Sequence, residues 1–298
     1  MWSNGSGVQP KRLEEHQLAF NELLSRLNIP GDQAATEKLR LLRALPADDI
    51  VKAIQVMEYS EFRGLTVEDG FIDNALISHI NSGEFGRRMK PRGVRLMNGE
   101  CRDEHNLYRA WRTPADSYEA LSLRLRADYP AASVLKVLDL YCPERSPPAG
   151  CRDWIDLFGR IYADLQVHCL ERGLAYRLCG AGGLIAGQDL LRYRIEWRAR
   201  CADAMWPVDW LVTHDTDEAI WWWGNAWPPG LTEQEKGAAR EMNTTFADFV
   251  AGKDIRWPVV GDPTYMRRLN SDGETDGWYD DRWEEALRVW NAVNGDEA

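Results

Sequence analysis

Gly93-Val94-Arg95-Leu96-Met97-Asn98-Gly99 runs into Glu100-Cys101-Arg102-Asp103-Glu104-His105, and the reading of this stretch decides the fold. Its first half is a short apolar run bounded by glycines, the pattern of a buried strand. Its second half sets two adjacent carboxylates, Asp103 and Glu104, just past the carboxyl end of that strand. In open α/β sheets that edge is where ligands and catalytic groups collect. The competing reading is a solvated loop, or the first turn of a following helix, where acids favour the dipole.

Working outward, Arg192 to Arg200 alternates Tyr193, Ile195 and Trp197 against charged neighbours, the period-2 pattern of a second strand. Val208–Val212 reads as a third. Between the first two strands, residues 114–141 read as two helices parted near Tyr129-Pro130. Cys142 to Gly150 is a turn-rich link, and residues 151–173 carry helical apolar spacing from Trp154 to Val167. Residues 232–252 and 280–293 are helical again. Upstream, Leu13, Leu18, Phe20, Leu23, Leu24 and Leu27 mark a helix that Asn28-Ile29-Pro30-Gly31 stops. A second helix runs from Thr36 to Leu45, and Asp48 or Asp49 caps a third that ends near Met57. Residues 58–72 read as irregular. Strands separated by long helices indicate an α/β layer fold, helix-rich with a few parallel strands. No repeat or linker divides residues 1–298, which read as a single unit.

Composition narrows the function classes. The chain has 298 residues and a formal net charge of −11, so a general nucleic-acid binder is not expected, because backbone affinity needs a basic surface. No stretch approaches about 18 uninterrupted apolar residues, so no membrane span is expected. Six cysteines include no Cys-x-x-Cys pair, which argues against a zinc ribbon or a thioredoxin-type site. Cys142 and Cys151 flank the Pro-rich link and are the pair expected to close it as a disulfide. Met1-Trp2-Ser3-Asn4-Gly5 has neither a basic region nor an apolar core, so no signal peptide is read here. The compartment is therefore left open, with secretion requiring a native protein that extends upstream. Asn4-Gly5-Ser6 and Asn243-Thr244-Thr245 are glycosylation sequons, which weigh only slightly toward secretion.

A second chemistry-bearing stretch is Val212-Thr213-His214-Asp215-Thr216-Asp217-Glu218-Ala219-Ile220-Trp221-Trp222-Trp223-Gly224. A histidine after a strand suits general-base work because its pKa lies near working pH. The spacing is not His-Glu-x-x-His and no third ligand is evident, so no metal is expected, and nothing calls for a cofactor. No Ser stands in Gly-x-Ser-x-Gly, and no phosphate loop exists. Gly180 to Gly187 resembles a dinucleotide loop only superficially: it precedes a strand instead of following one, and Ile185 takes the third glycine's place. The basic run Arg87–Arg95 and the acidic run Asp272–Glu285 read as solvated. Of 14 Trp, 11 lie between Trp197 and Trp290. Core packing is expected for most of them, while Trp221, Trp222 and Trp223 adjoin His214 and are the candidate pocket-liners.

Taken together, these residues resemble the C-terminal half of a type-B carboxylesterase, the cholinesterase-like branch of the α/β-hydrolases. Leu41-Leu42-Arg43-Ala44-Leu45-Pro46-Ala47 looks like that family's Leu-Arg-x-Leu-Pro boundary. Val67-Glu68-Asp69-Gly70-Phe71-Ile72 and Ser82-Gly83-Glu84-Phe85 look like its Asp-Gly-x-Phe segment and Gly-x-Phe turn. Leu96 to Glu104 is similar to its strand followed by x-Asp-Glu-Gly, and Trp206-Pro207-Val208-Asp209-Trp210 to its Trp-Pro-x-Trp stretch. Trp221-Trp222-Trp223-Gly224 stands where the family has aromatic-aliphatic-aromatic-Gly. Phe246–Lys253 and Arg256-Trp257-Pro258 resemble its closing helix and Trp-Pro segment. Two departures fall near these motifs: His105 replaces the usual Gly, and the stretch from His214 to Gly224 is one residue longer than the family's.

The resemblance implies a serine esterase fold whose triad acid maps to Glu104 and whose triad base maps to His214, 110 residues later. It also implies that Met1-Trp2-Ser3-Asn4-Gly5 lies just downstream of the nucleophile turn. The nucleophile half would then be missing, the sheet incomplete, and its innermost strand left with an unpaired edge. The implied substrate is a small-molecule carboxylic ester, and the implied partner is the missing N-terminal half or another protein. An isolated chain of this kind is expected to be inactive. A non-catalytic, protein-binding member of the same family is the alternative, and a Trp-lined carbohydrate enzyme a more distant one.

Overall fold

The computed structural model describes residues 13–57, 75–225 and 227–295. Four strands form one sheet in the order β1 (Leu96–Cys101), β2 (Leu190–Ile195), β3 (Tyr265–Leu269) and β4 (Thr275–Tyr279). The first two pairings are parallel and the β3–β4 pairing is antiparallel. The helices are α1 (Leu13–Arg26), α2 (Ala35–Ala44), α3 (Ala47–Gln55), α4 (Leu76–Asn81), α5 (Glu84–Met89), α6 (His105–Ala110), α7 (Tyr118–Asp128), α8 (Ala131–Tyr141), α9 (Trp154–Ala163), α10 (Cys169–Leu178), α11 (Glu218–Trp221), α12 (Glu233–Val250) and α13 (Trp283–Asn294). A π-helical turn, Asp164–His168, joins α9 to α10 without a break. The residue pair Tyr129-Pro130 parts α7 from α8, as the restriction of backbone before proline requires.

Both faces of the parallel strands are covered, which is what crossover helices impose. On one face Met97, Cys101, Leu191, Tyr193 and Ile195 build a core with residues of α12 such as Ala239 and Met242. On the other, Leu190 packs with Ala175 of α10 and Trp283 at the start of α13. Of the charged residues that alternate along β2, Arg192 is therefore buried and Arg194 partly so. Arg192 is 1% exposed and forms a close ion pair with Glu171 of α10, a second with Asp280, and a bond to the Pro263 carbonyl. Glu100 of β1 is met by Arg172, Arg194 and His168. Arg172 first, with His168 and Arg194, overcomes burial and holds the Glu100 carboxyl well below its ordinary range. A buried charge survives only with such partners.

Several expectations from the sequence are corrected here. Val208–Val212 is not a strand: Val208–Trp210 is a single 3₁₀ turn, and Leu211 has φ 55°. The further strands lie instead at β3 and β4, inside and beside the acidic run expected to be solvated. Asp280, within that run, is buried against Arg172, 2.7 Å away, and Arg192. All six cysteines are free thiols, so no disulfide joins Cys142 to Cys151. The third N-terminal helix starts after Pro46 with no side-chain cap, and Asp48 and Asp49 fall in its first turn. The Asp-Gly-x-Phe motif and the rest of 58–74 lie outside the described residues, as does the stretch around Met1. No helix among the described residues is long and apolar enough to cross a membrane.

Candidate functional site

The chain leaves β1 at Cys101 and turns at once into α6. That turn fixes Glu104. Its Oε1 accepts the Cys101 backbone N–H at 2.9 Å, so the carboxylate folds back onto the strand end. Its Oε2 faces Nδ1 of His214 at 2.6 Å. Glu104 is 2% exposed, and the His214 side chain is 13% exposed.

The neighbouring carboxylate has a different task. Asp103 accepts the Val212 backbone N–H at 3.1 Å and donates its own N–H to the Val212 carbonyl at 2.8 Å. Asn106 donates to the Trp210 carbonyl at 3.1 Å, and the Leu107 N–H donates to the Thr213 hydroxyl at 3.0 Å. Four bonds thus stitch the turn after β1 to the segment preceding His214. They hold the carboxylate–imidazole pair together across 110 residues of intervening chain. The helix α9 seats this assembly from behind. Gly159 lets α9 approach α6 so closely that an added Cβ would stand 2.6 Å from both the Arg109 Cβ and the His105 carbonyl oxygen.

Beneath His214 lies Asp217, also buried. Its Oδ2 accepts from the Tyr193 hydroxyl at 3.1 Å and the Trp221 indole at 2.9 Å. Burial, only partly offset by the indole bond, raises the Asp217 pKa. The Tyr108 ring of α6 packs against the imidazole at 5.3 Å between centroids. Burial also pulls the His214 pKa down, but Glu104, Asp215 and Asp217 overcome it and push the pKa up to about 9.

Glu104 and His214 open onto a cavity of about 910 Å³ that runs along β1. Its walls include Trp206 and Trp210, stacked at 5.8 Å, together with Trp111, Phe246 and Phe249. Such concave, mostly apolar spaces with a few convergent polar groups are the usual form of small-molecule sites. Of the three candidate tryptophans, Trp222 lines the cavity. Trp221 is turned into the core, edge-on to Tyr193, and Trp223 lies under Arg240 against the same core. Trp206 and Trp210 replace them as liners; the Trp-Pro motif named them without revealing their direction. Tyr193 and Asp217 carried no signal of their own. Among the described residues no cluster of metal-ligating side chains occurs.

The pair can hold an imidazole in one tautomer and stabilise its protonated form, which is what a carboxylate at Nδ1 does. No protein-family model matches the chain. It is 45% identical over 295 residues to a carboxylic ester hydrolase of Gibberella moniliformis, a match covering 99% of this chain and 54% of that protein. It is 30% identical over 297 residues to an uncharacterized esterase/lipase of Schizosaccharomyces pombe, covering 98% of this chain and 54% of the relative. The chain therefore spans about half the length of the curated relatives it matches. Its structure matches that of Aspergillus niger EstA with a TM-score of 0.64 at 13% identity, over 97% of this chain and 57% of that one. The helix-rich, mostly parallel architecture is that of an α/β-hydrolase. The relatives support an esterase family of that fold.

Proposed function

We propose that this chain, homologous to esterases of the α/β-hydrolase fold, supplies the acid and base of a carboxylic-ester hydrolase. Glu104 is the acid and His214 the base. The chain corresponds to the C-terminal half of a type-B carboxylesterase, and its substrate is a small-molecule carboxylic ester. The observation that carries the reading is the 2.6 Å contact between Glu104 Oε2 and His214 Nδ1 beside an aromatic cavity.

The mechanism follows from that geometry. A nucleophilic hydroxyl attacks the ester carbonyl, and His214 Nε2 takes its proton. The same nitrogen later delivers the proton to the leaving alcohol. Glu104 holds the Nδ1 proton throughout, which fixes the tautomer and stabilises the imidazolium. No Ser of the sequence stands in Gly-x-Ser-x-Gly. In this reading, the nucleophile and the oxyanion donors come from the portion of the relatives that this chain does not span.

The test is co-expression with the N-terminal portion of the Gibberella moniliformis relative, followed by p-nitrophenyl ester assays. Hydrolysis is expected from the pair. It should fall roughly 10⁶-fold with His214→Gln and roughly 10⁴-fold with Glu104→Gln, as in other triads. A folded, assembled pair without hydrolysis would overturn the reading. So would fluorophosphonate labelling of this chain alone. The absence of a nucleophile motif favours one second reading, a non-catalytic relative that binds a partner protein. An inert assembled pair would support it.

A further inference from the structure

Glu104 occupies only one nitrogen of the His214 ring. The other, Nε2, is 3.4 Å from Oδ1 of Asp215. Asp215 reaches that position through a left-handed backbone, with φ 68°. A side chain other than glycine is strained there, although Asp and Asn tolerate it best. Strain at a site of this kind points to a use. One residue thus combines a strained backbone with a negative charge set against the outer nitrogen of the base.

We propose that Asp215 is a positioning residue that covers Nε2 of His214, so that the ring is held charged between two carboxylates until the Nε2 proton leaves to water and Asp215 swings out. In the covered state both ring nitrogens carry protons. Nδ1–H is bonded to Glu104, and Nε2–H lies in ion-pair range of Asp215. Such a ring has no lone pair with which to take a proton. To become a base it must release the Nε2 proton to water, and the Asp215 side chain, 47% exposed, can swing out with it. The freed Nε2 lone pair then accepts the proton of the nucleophile.

The surroundings agree with this arrangement. Asp217 and Glu218 also face the ring from α11 and the turn before it, Tyr108 packs on it from α6, and no Lys or Arg among the described residues lines the cavity. The charged groups that face the ring, Glu104, Asp215, Asp217 and Glu218, are all acids. Asp215 is distinct among them because it meets the nitrogen on which the chemistry would occur.

The proposal rests on His214 being the base, but its test does not require hydrolysis. The His ring titrations of the ¹⁵N-labelled full chain would be followed by NMR, with His214→Gln assigning the signal. In Asp215→Asn and Asp215→Gly, the His214 pKa is expected to fall by about one unit, a roughly tenfold larger neutral fraction at pH 7. Asp215→Gly should melt above Asp215→Asn, because both lose the charge but only glycine relieves the left-handed backbone. A Tm change with an unmoved His214 pKa in both variants would overturn the proposal, leaving Asp215 a purely structural residue. Two variants guard against misfolding of either one. An inactive assembled pair with a shifted His214 pKa would sink the proposed function and spare this inference.

Discussion

His214 and Glu104 set the pH behaviour of the site. The folded-state pKa of His214 is raised from 6.5 to about 9. A raised histidine pKa contributes stability fully below the unfolded value, and that stability is lost as pH rises through the folded value. The contribution should therefore be complete near pH 6 and gone by pH 10, on the order of 2–3 kcal/mol. Urea unfolding at both pH values, compared between the native chain and Glu104→Gln, checks this: the loss between pH 6 and 10 should shrink in the variant, and an equal loss in both would refute it. Glu104 and His214 were legible because each sits in a motif beside a strand end or a Trp-Pro segment. The work of Asp103 was not. Its adjacency to Glu104 reads as a second reactive acid, whereas it bonds the backbone of Val212. Asp217 was equally silent, because its partner Tyr193 comes from a separate strand and its burial follows from that strand's position.

Elements carry the site through close approach. At Gly159 an added methyl would push α9 away from α6, and α6 follows Glu104 directly. Gly159→Ala is expected to cost about 1–3 kcal/mol in a thermal or urea melt, the usual price of overpacking. Because it moves the turn holding Glu104, the His214 pKa should fall as well, which ring titration by NMR would show. A destabilised variant with an unchanged pKa would separate the helix contact from the site. Gly99 plays a related part within the sheet, lying opposite Tyr193, whose carbonyl and ring leave no room for a Cβ. The strands β1 and β2 were legible because apolar residues recur in them at short range. β3 was not, since Arg267-Arg268 interrupts its period. β4 was not, since an edge strand of Thr275-Asp276-Gly277-Trp278-Tyr279 has no buried face to pattern. Val208–Val212 looked like a strand but finds no neighbour; its backbone is bound by Asp103 and Asn106 instead.

Across the whole molecule, the sheet is tied to α10 and to the segment entering α13 by a buried charge network. Glu100, Glu171, Arg172, Arg192 and Asp280 are each at most 8% exposed. Removing one partner of such a network leaves an uncompensated buried charge. Asp280→Ala should therefore cost about 3–5 kcal/mol in urea unfolding, and a loss below 1 kcal/mol would show that water reaches the two arginines. Among the described residues β1 pairs with β2 alone, and its other edge borders the cavity, where the Asn98 Oδ1 is buried without a hydrogen-bond partner. The sequence by itself determined the layer class, most helices and two strands, and it marked Glu104 and His214 as candidates, because local periodicity, turn chemistry and motif order are written in neighbouring residues. Only the tertiary structure decided that Arg192 is buried, that Trp222 and not Trp221 faces the cavity, and that Asp215 meets Nε2. Each of these depends on which side of an element a distant segment covers, and short-range sequence holds no record of that.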